Sequence, residues 1–175
     1  MSGLVEILLL LLSVFSPDPT NVVNQSTSTT AYVLAVADGD TILVAFPEDD
    51  NEAWESESRQ EWVRYIGIDT PEEPREDTAG ECWHDEATVA NEALVADREV
   101  ILVADQEDRD KFNRILRYVY VIDEMGVEHF VNEALISDGH ARTLRIEPNT
   151  THAAHFRELE IEAQNNELGR WGHCS

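Results

Sequence analysis

Four short segments carry residues whose types and spacing could act together on a phosphate ester. The first is Asp38-Gly39-Asp40-Thr41, two carboxylates flanking a glycine. The second is Arg64, within Trp62-Val63-Arg64-Tyr65-Ile66-Gly67-Ile68. The third, Asp69-Thr70-Pro71-Glu72, adds two carboxylates around a proline that fixes the backbone between them. The fourth is Asp110-Lys111-Phe112-Asn113-Arg114. Aspartates joined by a backbone carbonyl are the oxygen ligands that a hard cation such as calcium prefers. With the arginines, the set contains what hydrolysis of a phosphodiester needs: carboxylates for metal and base work, and guanidinium groups to stabilise charge. Each segment alone also has a plain reading. Asp-Gly pairs favour turns for backbone reasons, an arginine can snorkel from an apolar strand face, and the other two read as charged turns at strand ends.

The elements around these segments must bring them together. Tyr32–Val36 and Ile42–Phe46 are short apolar runs separated by Ala37-Asp38-Gly39-Asp40, a pattern that predicts a β-hairpin with the acids at its tip. Residues 47–59 read as an acidic loop. Trp62–Ile68 is expected to be a third strand, with Trp62, Arg64, Ile66 and Ile68 on one face and residues 69–72 at its end. Pro71–Gly80 reads as a loop. Ala87, Ala90 and Leu94 fall at helical spacing within residues 85–96. Val100–Ala104 and Ile115–Ile122 are further strands. Helices are expected over residues 130–137, capped by Gly139, and over residues 152–166, buried through Phe156, Leu159 and Ala163. This order is not the alternation of a parallel βαβ sheet. Five such strands can close into a small OB-type barrel with helices packed outside, a mainly β, α+β fold.

The 175 residues fit one domain. There are 36 acidic residues against 12 basic ones, for a formal net charge of -24, and Lys111 is the only lysine. The acids are interleaved with apolar strands, so they read as the surface of a folded domain rather than a disordered tail. Such a surface repels itself in dilute buffer, and at molar salt, where the Debye length is about 3 Å, the repulsion is screened. A salt-loving source is the expectation. The charge argues against nucleic-acid binding through a broad basic face. A polyanionic partner would have to be held by a few local arginines and a bridging cation.

Leu4–Phe15 is an apolar run broken by Glu6, too short to span a bilayer comfortably and consistent with a signal-peptide core or anchor. No Lys or Arg precedes it and no Ala-x-Ala site follows, which leaves a mis-assigned start and a cytoplasmic protein as the other reading. Residues 20–30 read as a Thr/Ser/Asn-rich linker, so residues 1–30 stand apart from a domain over 31–173. Asn24-Gln25-Ser26 and Asn149-Thr150-Thr151 are glycosylation sequons, which arise often by chance. Cys82 and Cys174 make no metal motif. In an exported protein they could form one disulfide, and in a reducing cytosol they would stay thiols.

Taken in order, Asp-Gly-Asp-Thr, then Arg with Asp-Thr-Pro-Glu five residues later, then Asp-Lys-aromatic-x-Arg resemble the staphylococcal nuclease (thermonuclease) family. The resemblance continues through Val131-Asn132-Glu133-Ala134-Leu135, Gly139-His140-Ala141 and Pro148-Asn149-Thr150-Thr151-His152 to Leu168-Gly169-Arg170-Trp171. It implies a five-stranded OB-type barrel with three helices and a calcium-dependent endonuclease that leaves 3′-phosphates on DNA and RNA. Asp40, Asp69 and the Thr70 carbonyl would hold Ca2+. Glu72 would be the catalytic carboxylate, Arg64 and Arg114 the phosphate-binding arginines, and Asp38 a supporting acid. Lys111, Phe112 and Arg145 are the expected substrate contacts, with single strands preferred, no protein partner implied and a monomer expected.

Three positions depart from the family pattern. Asn113 stands where glycine is usual, and Asn tolerates a left-handed backbone. Phe112 replaces a common tyrosine. Leu144-Arg145-Ile146 lacks the tyrosines often offered for base stacking, leaving Arg145 as a stacking candidate. The alternatives are a non-catalytic OB module that binds nucleic acid and a calcium-stabilised structural domain. The acids at 38–40 do not have EF-hand spacing, which disfavours the latter.

Overall fold

The computed structural model describes residues 28–47, 59–74 and 76–174. The apolar N-terminal run, most of the linker and most of the 47–59 segment lie outside the described residues.

Five strands form the frame. β1 (Ser28–Asp38), β2 (Thr41–Phe46) and β3 (Arg59–Tyr65) are an antiparallel meander, and β5 (Glu99–Val103) and β6 (Ile115–Ile122) pair antiparallel on the other side of β1. Parallel pairing of β3 with β6 closes the sheet into a barrel. β1 serves two neighbours: residues 28–32 pair with β5 and residues 32–38 with β2, with register irregularities between Val33 and Ala35 and between Val36 and Asp38. Such bulges bend a strand sharply enough to close a small barrel. Ser28–Thr30, placed in the linker on sequence grounds, are therefore part of the barrel. β7 (Glu128–Phe130), which the sequence reading missed, extends the β6 edge.

The expected third strand is cut short. It ends at Tyr65, and the chain turns at Gly67 (φ 82°), where an added Cβ would lie 2.8 Å from the Phe156 ring. After the turn, Ile68–Asp69 (β4) pairs with Arg142–Thr143 (β8) in a separate two-stranded sheet. Ile68 and Asp69 thus do not continue the alternation of Arg64 and Ile66. The apolar run Ile66–Ile68 hides the break because both isoleucines are buried.

Three helices pack outside: α1 (His84–Val95), α2 (Val131–Ser137) and α3 (Ala153–Asn165), followed by a single turn, α4 (Arg170–His173). α1 buries Ala87, Asn91 and Val95, with Ala90 and Leu94 partly buried against the core, and α3 buries Phe156, Glu160 and Ala163, with Leu159 partly covered. Both helices carry a polar residue on the buried face because each has a partner there. Asn91 accepts from the Tyr65 hydroxyl (2.9 Å), and Glu160 accepts from Thr143 Oγ1 (2.7 Å). Buried Asn132 of α2 donates to the Ile66 carbonyl and accepts from Val119 N, both at 2.9 Å, pinning the turn after β3 to β6. The core beneath includes Ile42, Val44, Val63, Leu102, Val119, Leu135 and Phe156. Full burial of side chains this size is worth roughly 1.5–3 kcal/mol each. Cys82 and Cys174 form a disulfide across 92 residues of sequence.

Candidate active site

The acids of the first hairpin sit at the barrel rim. Gly39 lies at the turn because a Cβ there would be 2.7 Å from the Thr70 side chain. Asp38 Oδ1 accepts from Asp40 N (3.0 Å), and the Asp38 carbonyl accepts from Asn91 Nδ2 (2.9 Å), so α1 braces the turn. Asp40 is 4% exposed. Its Oδ2 accepts from Thr70 N (2.9 Å) and its Oδ1 from Thr41 Oγ1 (3.2 Å). Burial pushes the Asp40 carboxyl up to about 6, against the pull of Arg64 and the Thr70 amide.

Arg64 joins the two halves of the acid set. One guanidinium nitrogen is ion-paired with Asp40 and another donates to Asp69 Oδ1 at 3.0 Å. Two partly buried carboxylates require a cation between them, and the guanidinium supplies it. Arg142 covers the remaining oxygen, placing Nε at 2.9 Å and Nη2 at 2.6 Å from Asp69 Oδ2.

Arg114 approaches from the start of β6. Asp110 shapes its turn, accepting from Phe112 N (2.9 Å), Arg114 N (3.0 Å) and Arg114 Nε (2.7 Å), while Asn113 takes φ 68°. Burial opposes ionisation of Asp110, yet these bonds hold its carboxyl below the usual range. Arg114 Nη1 also reaches Thr41 Oγ1 (3.4 Å), so Thr41 touches both the Asp40 carboxylate and the second arginine.

Beside the two arginines lies a cavity of about 400 Å³. Arg64 and Arg114 line it with Lys111, Phe112, Leu116, Leu144 and Ile146. Phe112 is 68% exposed at its mouth, with Lys111 Nζ 4.9 Å from the ring centre. The wall combines cationic groups with apolar surface, as a phosphate joined to a planar base would require.

Residues 62–173 match the family model described as Staphylococcal nuclease homologue. The chain belongs to the staphylococcal nuclease family. It is 34% identical over 136 residues to Endonuclease YncB of Bacillus subtilis (strain 168), covering 77% of this chain and 57% of that protein. It is also 34% identical over 136 residues to the SPbeta prophage-derived endonuclease YokF of the same strain, covering 77% and 41%. Identity to Thermonuclease of Staphylococcus intermedius is 31% over 139 residues, covering 79% and 74%. The chain spans about half the length of the two Bacillus endonucleases.

In this staphylococcal nuclease homologue the expected site residues fall into four groups. Asp38, Asp40, Arg64, Asp69, Thr70 and Arg114 are joined by the contacts above. Glu72 is exposed on the loop beyond Thr70, where its carbonyl accepts from Glu81 N at 2.9 Å. Lys111 and Phe112 line the cavity. Arg145 pairs with Glu147 (2.6 Å) and lines an adjoining depression of about 260 Å³ that shares Gly67, Leu144 and Asn149 with the larger cavity. Leu144 and Ile146, but not Arg145, line the larger cavity.

The donor chemistry of the acid set suits calcium: the carboxylates of Asp40 and Asp69 converge on one positive charge, the Arg64 guanidinium. The Thr70 carbonyl is the third candidate oxygen. Among the described residues, no three His, Cys, Asp or Glu side chains gather as a metal cluster. Any cation would therefore be held by few protein ligands and would compete with Arg64 for both carboxylates.

Sequence reasoning missed Thr41, Asn91, Arg142 and the cavity walls at Leu144 and Ile146. Only Thr41 had a local signal, its place beside Asp40. Arg142 reaches Asp69 through β4–β8 pairing between residues 73 positions apart.

Proposed function

We propose that the chain is a calcium-dependent endonuclease that hydrolyses phosphodiester bonds of DNA and RNA, prefers single strands and leaves 3′-phosphates. The observation that carries this reading is the joined set of Asp40, Asp69 and Arg64, with Arg114 one hydroxyl away through Thr41. The family membership and the endonuclease and thermonuclease names of the relatives support it.

Calcium, held by Asp40, Asp69 and the Thr70 carbonyl, would neutralise phosphate charge and favour attack by water. Glu72 takes the proton of that water as general base. Arg64 and Arg114 donate to phosphate oxygens as negative charge builds, with Arg64 exchanging carboxylate for phosphate partners. Phe112, Leu144 and Ile146 receive the base in the adjoining cavity, and Lys111 attracts the chain's phosphates at its mouth.

The acidic balance supports a protein adapted to high salt and working as a monomer. The Cys82–Cys174 disulfide supports an oxidising location outside the cytoplasm, secreted or tethered at the membrane. The deciding experiment is cleavage of single-stranded DNA with calcium against EDTA, over a range of salt concentrations, with end-group analysis of the products. Calcium-dependent cleavage with 3′-phosphate ends is expected. No cleavage at any salt would leave a nucleic-acid-binding module.

A further inference from the structure

Glu72 stands on a loop whose outer side is tied to the C-terminus. The loop doubles back, so that Glu81 N donates to the Glu72 carbonyl (2.9 Å) and Glu72 N approaches Glu81 Oε2 (3.4 Å). The residue after Glu81 is Cys82, bonded to Cys174. Cys174 in turn closes α4, with its N–H on the Arg170 carbonyl (2.9 Å), and Arg170 N donates to the Gly139 carbonyl (3.0 Å). Trp83 reinforces the junction: its ring lies 4.6 Å from His173, and its Nε1 donates to His140 Nδ1 (3.1 Å). A short step along the chain from His140 is Arg142, which holds Asp69. Glu72 and Asp69 are therefore tied to one bracket, and the disulfide is its covalent link.

We propose that the Cys82–Cys174 disulfide is a positioning element for Glu72, so that full turnover requires the oxidised chain. This rests on the reading of Glu72 as the general base. The barrel strands and α1–α3 hydrogen-bond without the disulfide, so its loss leaves a folded domain whose Glu72 loop is released from α4. A dithiol such as dithiothreitol breaks the bond by delivering two electrons and two protons; two cysteine thiols form and the dithiol becomes a cyclic disulfide. Displacing a base by about 1 Å can cost on the order of a hundredfold in rate.

The test compares the oxidised full chain, the same chain reduced with dithiothreitol, and the Cys82→Ser/Cys174→Ser variant, at a temperature where circular dichroism shows all three folded. Steady-state cleavage of single-stranded DNA should show kcat lower by roughly ten- to a hundredfold with KM within about twofold. Hydrogen exchange supplies the second readout, in case the variant folds poorly: the Glu81 amide should exchange faster on reduction, while amides of β2 and β6 keep their rates. Exchange accelerated evenly through the barrel would make the disulfide a general staple and overturn the proposal. So would unchanged kcat on reduction when oxidised Glu72→Gln is inactive. Full turnover by oxidised Glu72→Gln would instead remove the reading of Glu72, and the proposal with it.

Discussion

Arg142 places two guanidinium nitrogens on a single oxygen of Asp69, at 2.9 and 2.6 Å. The pair spans the two-stranded β4–β8 sheet, and it fixes which way the Asp69 carboxylate faces. Half of the Arg142 side chain is exposed (51%), so the pair should add little to stability, on the order of 0–1 kcal/mol. Its value lies in orientation. Partners behind a metal-ligating carboxylate typically cost 10–100-fold in metal affinity or activity when removed. Arg142→Ala should therefore melt near the parent temperature yet need roughly tenfold more calcium for half-maximal cleavage. An unchanged calcium requirement would separate Arg142 from the site.

Arg114 and Glu72 test the chemistry directly. Arg114 is fixed by Asp110 on one side and Thr41 on the other, with cavity on its remaining face. Removing one preorganised donor of this kind costs about a hundredfold or more in kcat. Arg114→Ala should show that loss, and Arg114→Lys should recover little, since a point charge cannot replace a planar fork. Glu72→Gln should fold normally and lose most turnover. Near-normal rates in either variant, measured with saturating calcium, would break the role assigned to it.

How much of this was legible in the sequence depended on the range of the forces involved. The β1–β2 hairpin and its acids could be read because alternation and an Asp-Gly turn are local signals, and β6 was bounded at Ile115 and Ile122 as observed. The β3 break was not read, since Ile66 and Ile68 are both apolar and the reason for Gly67 is the Phe156 ring, 89 residues away. Asn91 carries no local signal, although it is fully buried and ties Tyr65 to the Asp38 turn. Arg145 stands out by chemical type, whereas the placement of Leu144 and Ile146 on the larger cavity follows from the path of the chain after β8 and has no local signal.

Asp40 should leave a signature in pH. Its carboxyl is raised by burial to about 6 from a usual value of 3.8. The folded state therefore holds the Asp40 proton more tightly than the unfolded one, and the Asp40 contribution to stability grows as pH falls through about 6 toward 4. In EDTA, Asp40→Asn, which mimics the protonated form, should melt above the parent at pH 7.5, and the gap should narrow as pH falls through about 6 and nearly close only toward about pH 4. Calcium binding should weaken over the same interval as protons compete for the carboxylate. A melting difference that does not change with pH would mean that Asp40 ionises normally in the fold.

Phe112 is the most exposed ring at the cavity mouth, and its position over the Lys111 ammonium suits it to a base rather than to the core. Base stacking on an aromatic side chain is worth roughly 1–3 kcal/mol. Phe112→Ala should raise KM for single-stranded DNA about five- to a hundredfold while kcat changes little. Phe112→Tyr should behave as the parent. An equal fall in kcat would place Phe112 in the transition state's surroundings instead.

The net charge of -24 sets two opposing salt effects against each other. At low salt an acidic protein and a polyanionic substrate repel, and the repulsion weakens as the Debye length shrinks from about 10 Å at 0.1 M to about 3 Å at 1 M. The contacts of Arg64, Arg114 and Lys111 with phosphate weaken over the same range, because counterions released into saltier solution gain less entropy. Three cations give a shallow loss, whereas an excess of 24 negative charges gives a large repulsion to relieve, so the first effect dominates initially. Cleavage measured as kcat/KM at fixed free calcium should therefore rise with sodium chloride and decline only toward molar concentrations. A steady decline from the lowest salt would mean that the local arginine field, rather than the overall acidic surface, controls the approach of substrate.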